Sequence, residues 1–297
     1  MRFALELPTR LVDRPDEFLG VRAIAEMASA VEAAGLDAVH VSDHPYPPAQ
    51  WVAAGGHHAM DPLVALTAAA AGTSSLQLIT NIYVLAYRHP AVAAHGLGSL
   101  AVASGDRLVV GVGPGYLRAE FDGLEANHAH RGRLLDEALP RLLSVWRGEA
   151  GPHGNMAEPL PKVPPPVWIG GNSAAALRRT VELGQGWMPF PAPAALAAQT
   201  GTDALPDHAT LAARIEALRG AWDAAGRMGS PVVCCAPFSH PFGRPGLRPA
   251  ELIEDAAVMA EAGVSWLCLS LDAPSRAGWL ENVQRVAEQV ARPLARA

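Results

Sequence analysis

The stretch Val167-Trp168-Ile169-Gly170-Gly171-Asn172-Ser173 decides the fold. A short apolar run ends in two glycines, and a serine stands before residues 174–183, whose apolar positions recur at helical spacing. This is the pattern of a buried strand, a tight turn and a capped helix, one complete βα unit. Similar units recur on both sides of it. Apolar, β-branched runs at residues 3–7, 38–42, 76–83, 107–112, 186–189, 232–236 and 266–270 predict further strands, buried on both faces as parallel strands are. Helical periodicity is expected at 21–34, 134–146, 211–225, 249–262 and 280–290, and Asp61-Pro62 has the form of a helix start. Glu261-Ala262-Gly263 echoes Glu32-Ala33-Ala34-Gly35 as a helix end before a strand.

Strands alternating with helices give right-handed βαβ units, either in a barrel or in a doubly wound sheet. The count of eight favours an α/β fold of the (β/α)8 TIM-barrel type, with residues 1–297 as a single domain. Two stretches break the rhythm. Residues 148–166 and 190–207 are rich in Gly, Pro or Ala and read as insertions able to cover a site.

Bulk properties narrow the function. The 297 residues are 50% hydrophobic with a net charge of -6, and no Lys/Arg run marks a nucleic-acid footprint. Cys234, Cys235 and Cys268 form neither a CxxC nor an even disulfide framework, and read as small buried apolar residues. No stretch has the roughly 18 apolar residues of a membrane span and no leader is visible, so a soluble, cytoplasmic protein is expected.

In such a barrel the reactive groups gather at the C-terminal ends of the strands. Those positions hold Ser42-Asp43-His44, Thr80-Asn81, Gly111-Val112-Gly113-Pro114-Gly115-Tyr116, Gly170-Gly171-Asn172-Ser173, Ser239-His240, Ser270 and Asp272. Asp43 and His44 are an acid–base pair or a surface turn. The glycines at 170 and 171 let a ligand approach the backbone, and the helix start at Ser173 makes an anion site, with Arg178 and Arg179 one to two turns on. No Walker motif is present, and Pro114 separates the 111–115 segment from a Rossmann loop. His57-His58 and His128-Ala129-His130 could supply imidazoles to a metal, but they lie away from the end of the first strand, where metal-dependent barrel hydrolases usually carry an HxH.

Together these residues resemble the luciferase-like monooxygenase superfamily, in particular its F420-dependent oxidoreductase branch. The likeness rests on residues 37–44, on Thr80-Asn81-Ile82 with Arg88-His89-Pro90, and on residues 107–116 with Glu120. It continues through Leu134-Leu135-Asp136-Glu137 with Leu142 and Trp146, and is most specific over residues 164–173 with Ala176-Leu177-Arg178-Arg179 and Gly186-Trp187. Beyond about residue 190 only the strand–helix rhythm matches.

The resemblance implies a flavin-type cofactor over the barrel rim, its phosphate near Gly170, Gly171, Asn172 and Ser173. It implies a non-prolyl cis peptide at the end of the third strand, here Asn81–Ile82. His44 and Asp43 would then be catalytic. Gly113, Gly115 and Tyr116 would line the cofactor's side-chain path, and Arg88, Arg178 or Arg179 would meet its phosphate or acidic tail, with Arg118 and Arg131 further candidates. The cofactor implied is F420, with FMN and an oxygen-using reaction as the alternative and a non-catalytic barrel as a more remote one. A small-molecule substrate enters under residues 45–60 and 190–207, with no nucleic acid, membrane or metal, and the family is often homodimeric.

Overall fold

A computed structural model describes residues 1–242 and 244–296. Among them, eight parallel strands close into a barrel in chain order: β1 (Arg2–Glu6), β2 (Ala38–Val41), β3 (Gln77–Val84), β4 (Leu108–Gly113), β5 (Val167–Gly170), β6 (Gly186–Met188), β7 (Val232–Cys235) and β8 (Trp266–Leu269). One main helix follows each strand: α1 (Val21–Ala33), α2 (Pro62–Ala71), α3 (Pro90–Ala103), α4 (Arg131–Trp146), α5 (Ala174–Leu183), α6 (His208–Ala224), α7 (Pro249–Ala262) and α8 (Arg276–Val286).

Local chemistry sets the ends of these elements. Helix α1 buries Ile24, Met27, Ala28 and Val31 on one stripe and gives way to Gly35 at φ +77°. Asp61 Oδ1 accepts from the Leu63 and Val64 N–H groups at 2.9 and 3.2 Å and starts α2. Ser173 Oγ accepts from Ala176 N–H at 3.3 Å and starts α5.

The strands carry two cores. Outward residues such as Leu5, Val39, Leu78, Val110 and Ile169 pack against the helices. Inward residues Ala4, Ala38, Ile79, Val109, Trp168, Met188, Cys234, Trp266 and Cys268 fill the barrel. Trp168 and Trp266 meet edge to face with ring centres 5.5 Å apart. Burying a large side chain of this kind stabilises by about 1.5–3 kcal/mol. All three cysteines are buried and unpaired.

Above that plug the pattern changes. Glu6 pairs in register with His40, so two residues beyond Ala4 and Ala38 the inward positions of β1 and β2 turn polar. Strand β3 shifts register against β4 between Thr80 and Tyr83, and the Asn81–Ile82 peptide within that shift is cis. The neighbouring glycines make room for it. A Cβ at Gly111 would overlap the Thr80 carbonyl, one at Gly113 would overlap Ile82 Cδ1, and one at Gly170 would lie 2.8 Å from Ile82 Cγ2.

The two insertions differ. Residues 190–207 form the short helix Ala194–Thr200, closed by an Ala192–Leu205 bridge, and lean over the barrel mouth. Residues 148–166 lie on the outer face, where the Pro159 carbonyl lies 3.6 Å from where a Cβ of Gly98 on α3 would sit. No helix among the described residues is long and apolar enough to cross a membrane.

Candidate active site

The C-terminal mouth of the barrel holds a cavity of about 890 Å³. That is toward the upper end of the roughly 300–1,000 Å³ typical of ligand sites.

His44, just past β2, stands in its wall. Its Nδ1 lies 3.0 Å from Glu120 Oε2, and its Nε2 lies 3.5 Å from the Tyr116 hydroxyl. Glu120 is fully buried and accepts two more hydrogen bonds, from Tyr46 N–H at 3.0 Å and from the Tyr87 hydroxyl at 2.9 Å. Burial alone would raise the Glu120 pKa, but His44 and these donors together hold it below the usual carboxylate range. A carboxylate accepting from Nδ1–H fixes the ring and leaves Nε2 toward the cavity. Trp51 and His57, from the segment after β2, pack on the His44 ring with centres 4.9 Å away. Phe242, from the segment after β7, packs on His57 at 5.3 Å. Desolvation lowers the His57 pKa to about 4, so that ring is neutral at pH 7.

Asp43, one residue earlier, faces the other way. Its side chain is 1% exposed and receives Arg88 in a two-pronged contact at 2.6 and 2.9 Å, with Val84 N–H donating at 2.8 Å. Arg88 also stacks on Tyr83, 4.1 Å from the ring centre. Both groups are consumed in tying β2 to the end of β3.

The opposite end of the cavity is cationic. Ser173, Arg131 and Arg179 line it with Gln199, Thr200 and Thr202. Two backbone donors near it are already engaged, Gly171 N–H by the Met188 carbonyl at 3.1 Å and Asn172 N–H by Thr202 Oγ1 at 3.0 Å. The first-turn N–H groups of α5 follow at Ser173, where a helix start presents donors to an anion.

The cavity thus gathers His44, Asn81, Ile82, Gly115, Tyr116, Gly170, Gly171 and Ser173, with Asp43 at its edge. Four expected residues do not line it. Arg88 is held by Asp43, and Gly113 lies beneath Ile82. The Asn172 side chain is spent on Phe190 and Asp203. Arg178 is turned outward to Asp136 and Glu182 at 3.0 and 2.6 Å. Its neighbour Arg179 is buried and touches the cavity wall, but Asp136 holds its guanidinium at 2.7 and 3.2 Å and the Gly132 carbonyl accepts from it at 3.1 Å; Arg131 and Arg118 line the cavity as well. Of the remaining histidines, His128 Nε2 bonds the Tyr116 carbonyl at 3.1 Å. No group of three or more His, Cys, Asp or Glu among the described residues could hold a metal ion.

Sequence reasoning gave no role to Glu120, Tyr87, Trp51, His40 or Glu6. An acidic residue following the glycine run of β4 and the inward parity of residues 6 and 40 are signals that could have marked three of them.

Comparison with known proteins agrees with this architecture. A model of the luciferase-like monooxygenase family matches residues 1–241. An F420-dependent glucose-6-phosphate dehydrogenase of Tsukamurella paurometabola is 31% identical over 183 residues, covering 57% of this chain and 53% of that protein. An F420-dependent hydroxymycolic acid dehydrogenase of Mycobacterium tuberculosis is 29% identical over 184 residues, covering 58% and 50%. The matches thus span about half the length of these relatives. Among solved structures, an F420-dependent secondary alcohol dehydrogenase superposes with a TM-score of 0.73 at 16% identity, covering 98% of each chain. The oxygenating component of 3,6-diketocamphane monooxygenase from Pseudomonas putida does so at 0.72 and 14%, again over 98% of each chain. The match over residues 1–241, most of the barrel just described, identifies the chain as a member of the luciferase-like monooxygenase family.

Proposed function

We propose that this chain is an oxidoreductase that transfers a hydride between coenzyme F420 and a small organic substrate. One observation carries the reading: His44 turns Nε2 into a cavity whose far end is cationic and capped by a helix start. The cavity suits a long cofactor with a ring at one end and a phosphate at the other. Ser173 and Arg131 would hold the phosphate, and Pro114, Gly115 and Tyr116 the path between. When bound, a deazaflavin supplies hydride chemistry without activating oxygen. His44 Nε2 would take or return the substrate's proton, with Glu120 holding the ring for it; Trp51 and His57 would keep water from that nitrogen. The F420-dependent relatives support this choice of cofactor.

The family's description as monooxygenases favours a second reading, reduced FMN with dioxygen. Titrating apo protein separately with F420 and FMN, followed by fluorescence, separates the two. Saturable F420 binding is expected. Micromolar FMN binding with none of F420, or oxygen consumption coupled to reduced FMN, would overturn the proposal.

A further inference from the structure

The cavity has a polar wall that the proposed chemistry leaves unused. Residues 38, 40 and 42 are successive inward positions at β2, and His40 sits beside Glu6 of β1 in register. His40 is 5% exposed and lines the cavity, and its Nε2 meets no hydrogen-bond partner. The Asn81 side-chain amide lies 3.4 Å from His40 Nδ1, and with the amide nitrogen donating there the ring carries its proton on Nε2. Desolvation lowers the His40 pKa to about 4, against a smaller opposing effect of the nearby Leu269 carbonyl, so the ring is neutral at pH 7, and its Nε2 has no partner in hydrogen-bond geometry. Ser42 Oγ, also buried and lining the cavity, has no partner either. An orphaned buried donor costs about 1–3 kcal/mol, so two of them facing one cavity mark a place built for a ligand.

The charges around them select its class. Glu6 completes the wall; burial pushes its carboxyl up, while Arg10, 3.6 Å behind it, opposes that shift. A ligand anion would meet the Glu6 oxygens. A ligand cation would meet the His40 edge, and Glu6 already has Arg10 3.6 Å away as its counter-charge. An uncharged oxygen accepts from Nε2–H and exchanges a hydrogen bond with Ser42 at no electrostatic cost. Ser270 and His240 extend this polar arc, and beside them Met188, Cys234, Cys268 and Ala236 give the wall an apolar stretch for a hydrocarbon body.

We propose that His40 and Ser42, beside Glu6, form a substrate subsite that binds the carbonyl or hydroxyl oxygen of an uncharged, largely apolar molecule. The assignment to substrate rests on the cofactor reading above, but the subsite can be measured without cofactor. Cyclohexanone, cyclohexanecarboxylate and cyclohexylamine share one ring and differ in charge. Ligand-observed NMR on apo protein should show binding of cyclohexanone and at least tenfold weaker binding of the two ions. His40→Phe and Ser42→Ala should each weaken cyclohexanone about threefold to tenfold, the usual share of one neutral hydrogen bond. In ¹⁵N-labelled wild-type protein the His40 Nε2 signal should move on addition of the ketone, a change that a purely structural histidine would not make.

Equal binding of the ions, an unmoved His40 signal, or full affinity in Ser42→Ala would overturn the subsite. F420 titration of the same variants tests its occupant. An unchanged F420 affinity assigns the donors to substrate, whereas a tenfold loss in both variants would assign them to the cofactor ring and overturn the proposal. Failure of wild-type protein to bind F420 at all would sink the functional reading alone and leave the ketone result standing.

Discussion

Replacing Arg88 with Met tests whether the Asp43–Arg88 pair holds the barrel rim or serves the ligand. The Asp43 carboxylate is 1% exposed, with two contacts from Arg88 and one from Val84 N–H. Methionine preserves much of the side-chain length and removes the charge, leaving a buried carboxylate with one donor. Hydrogen bonds to charged groups contribute about 1.5–3 kcal/mol each, so losing two costs about 3–6 kcal/mol. Breaking one side of a buried pair costs about 3–5 kcal/mol, which agrees. Asp43→Asn should cost less, about 2 kcal/mol, because the Arg88 side chain is 19% exposed and can reach water. The double variant should be little worse than Arg88→Met, giving a coupling of about 2 kcal/mol. Equilibrium urea unfolding of the four proteins measures this directly, and Tm should fall by roughly 10 °C in Arg88→Met. An Arg88 that binds the cofactor's phosphate would behave oppositely. Stability within about 1 kcal/mol of wild type together with a large loss of F420 affinity would refute the structural role argued here.

Three further outcomes follow. His44→Ala should slow turnover by about 10²–10⁴-fold while changing cofactor affinity far less; equal activity would make His44 a structural turn. Glu32 accepts from Ser74, Ser75 and Leu76 N–H groups, and although burial pushes the other way these donors draw its pKa down to about 2. Its contribution is therefore complete above about pH 4.5 and fades as pH falls toward 2, so Glu32→Gln should be destabilised by about 1 kcal/mol at pH 7 and approach wild type only near pH 2; a difference independent of pH would contradict this. Gly171, at φ +106°, stands where the proposed phosphate site begins, and Gly171→Leu should weaken F420 binding at least tenfold, about 1.4 kcal/mol, by fluorescence titration.

The barrel was readable because each strand and most helices carry their periodicity in the chain. Helix α3 was not, since Gly96, Gly98 and apolar residues on every side leave it no stripe. Gly98 is small for a tertiary reason: a Cβ there would sit 3.3 Å from Trp146 Nε1, which donates to the Ala94 carbonyl on the same helix. The site divides in the same way. Position on the rim was enough to mark His44, but its partner Glu120 comes from 76 residues away and Asp43's from 45. Which of two adjacent arginines is buried depends on helix rotation: the Arg179 side chain is 6% exposed and that of Arg178 48%, although both reach Asp136. Pairings made across the fold are set by packing, and no local pattern records them.

The two ends of the cavity are built from different materials. At the cationic end, Asn172 and Thr202 stitch the start of α5 to the 190–207 segment through named hydrogen bonds. At the other end, Trp51, His57 and Phe242 meet through ring faces and edges on two separate connecting segments. Directional bonds tolerate little exchange of partners, whereas stacked rings can be swapped for other apolar side chains with modest loss. Evolution, or an engineer, could therefore rewrite what enters beside His44 while leaving the anchor for the other ligand intact. That asymmetry lets one end of the cavity change its occupant without disturbing the hydrogen-bonded end.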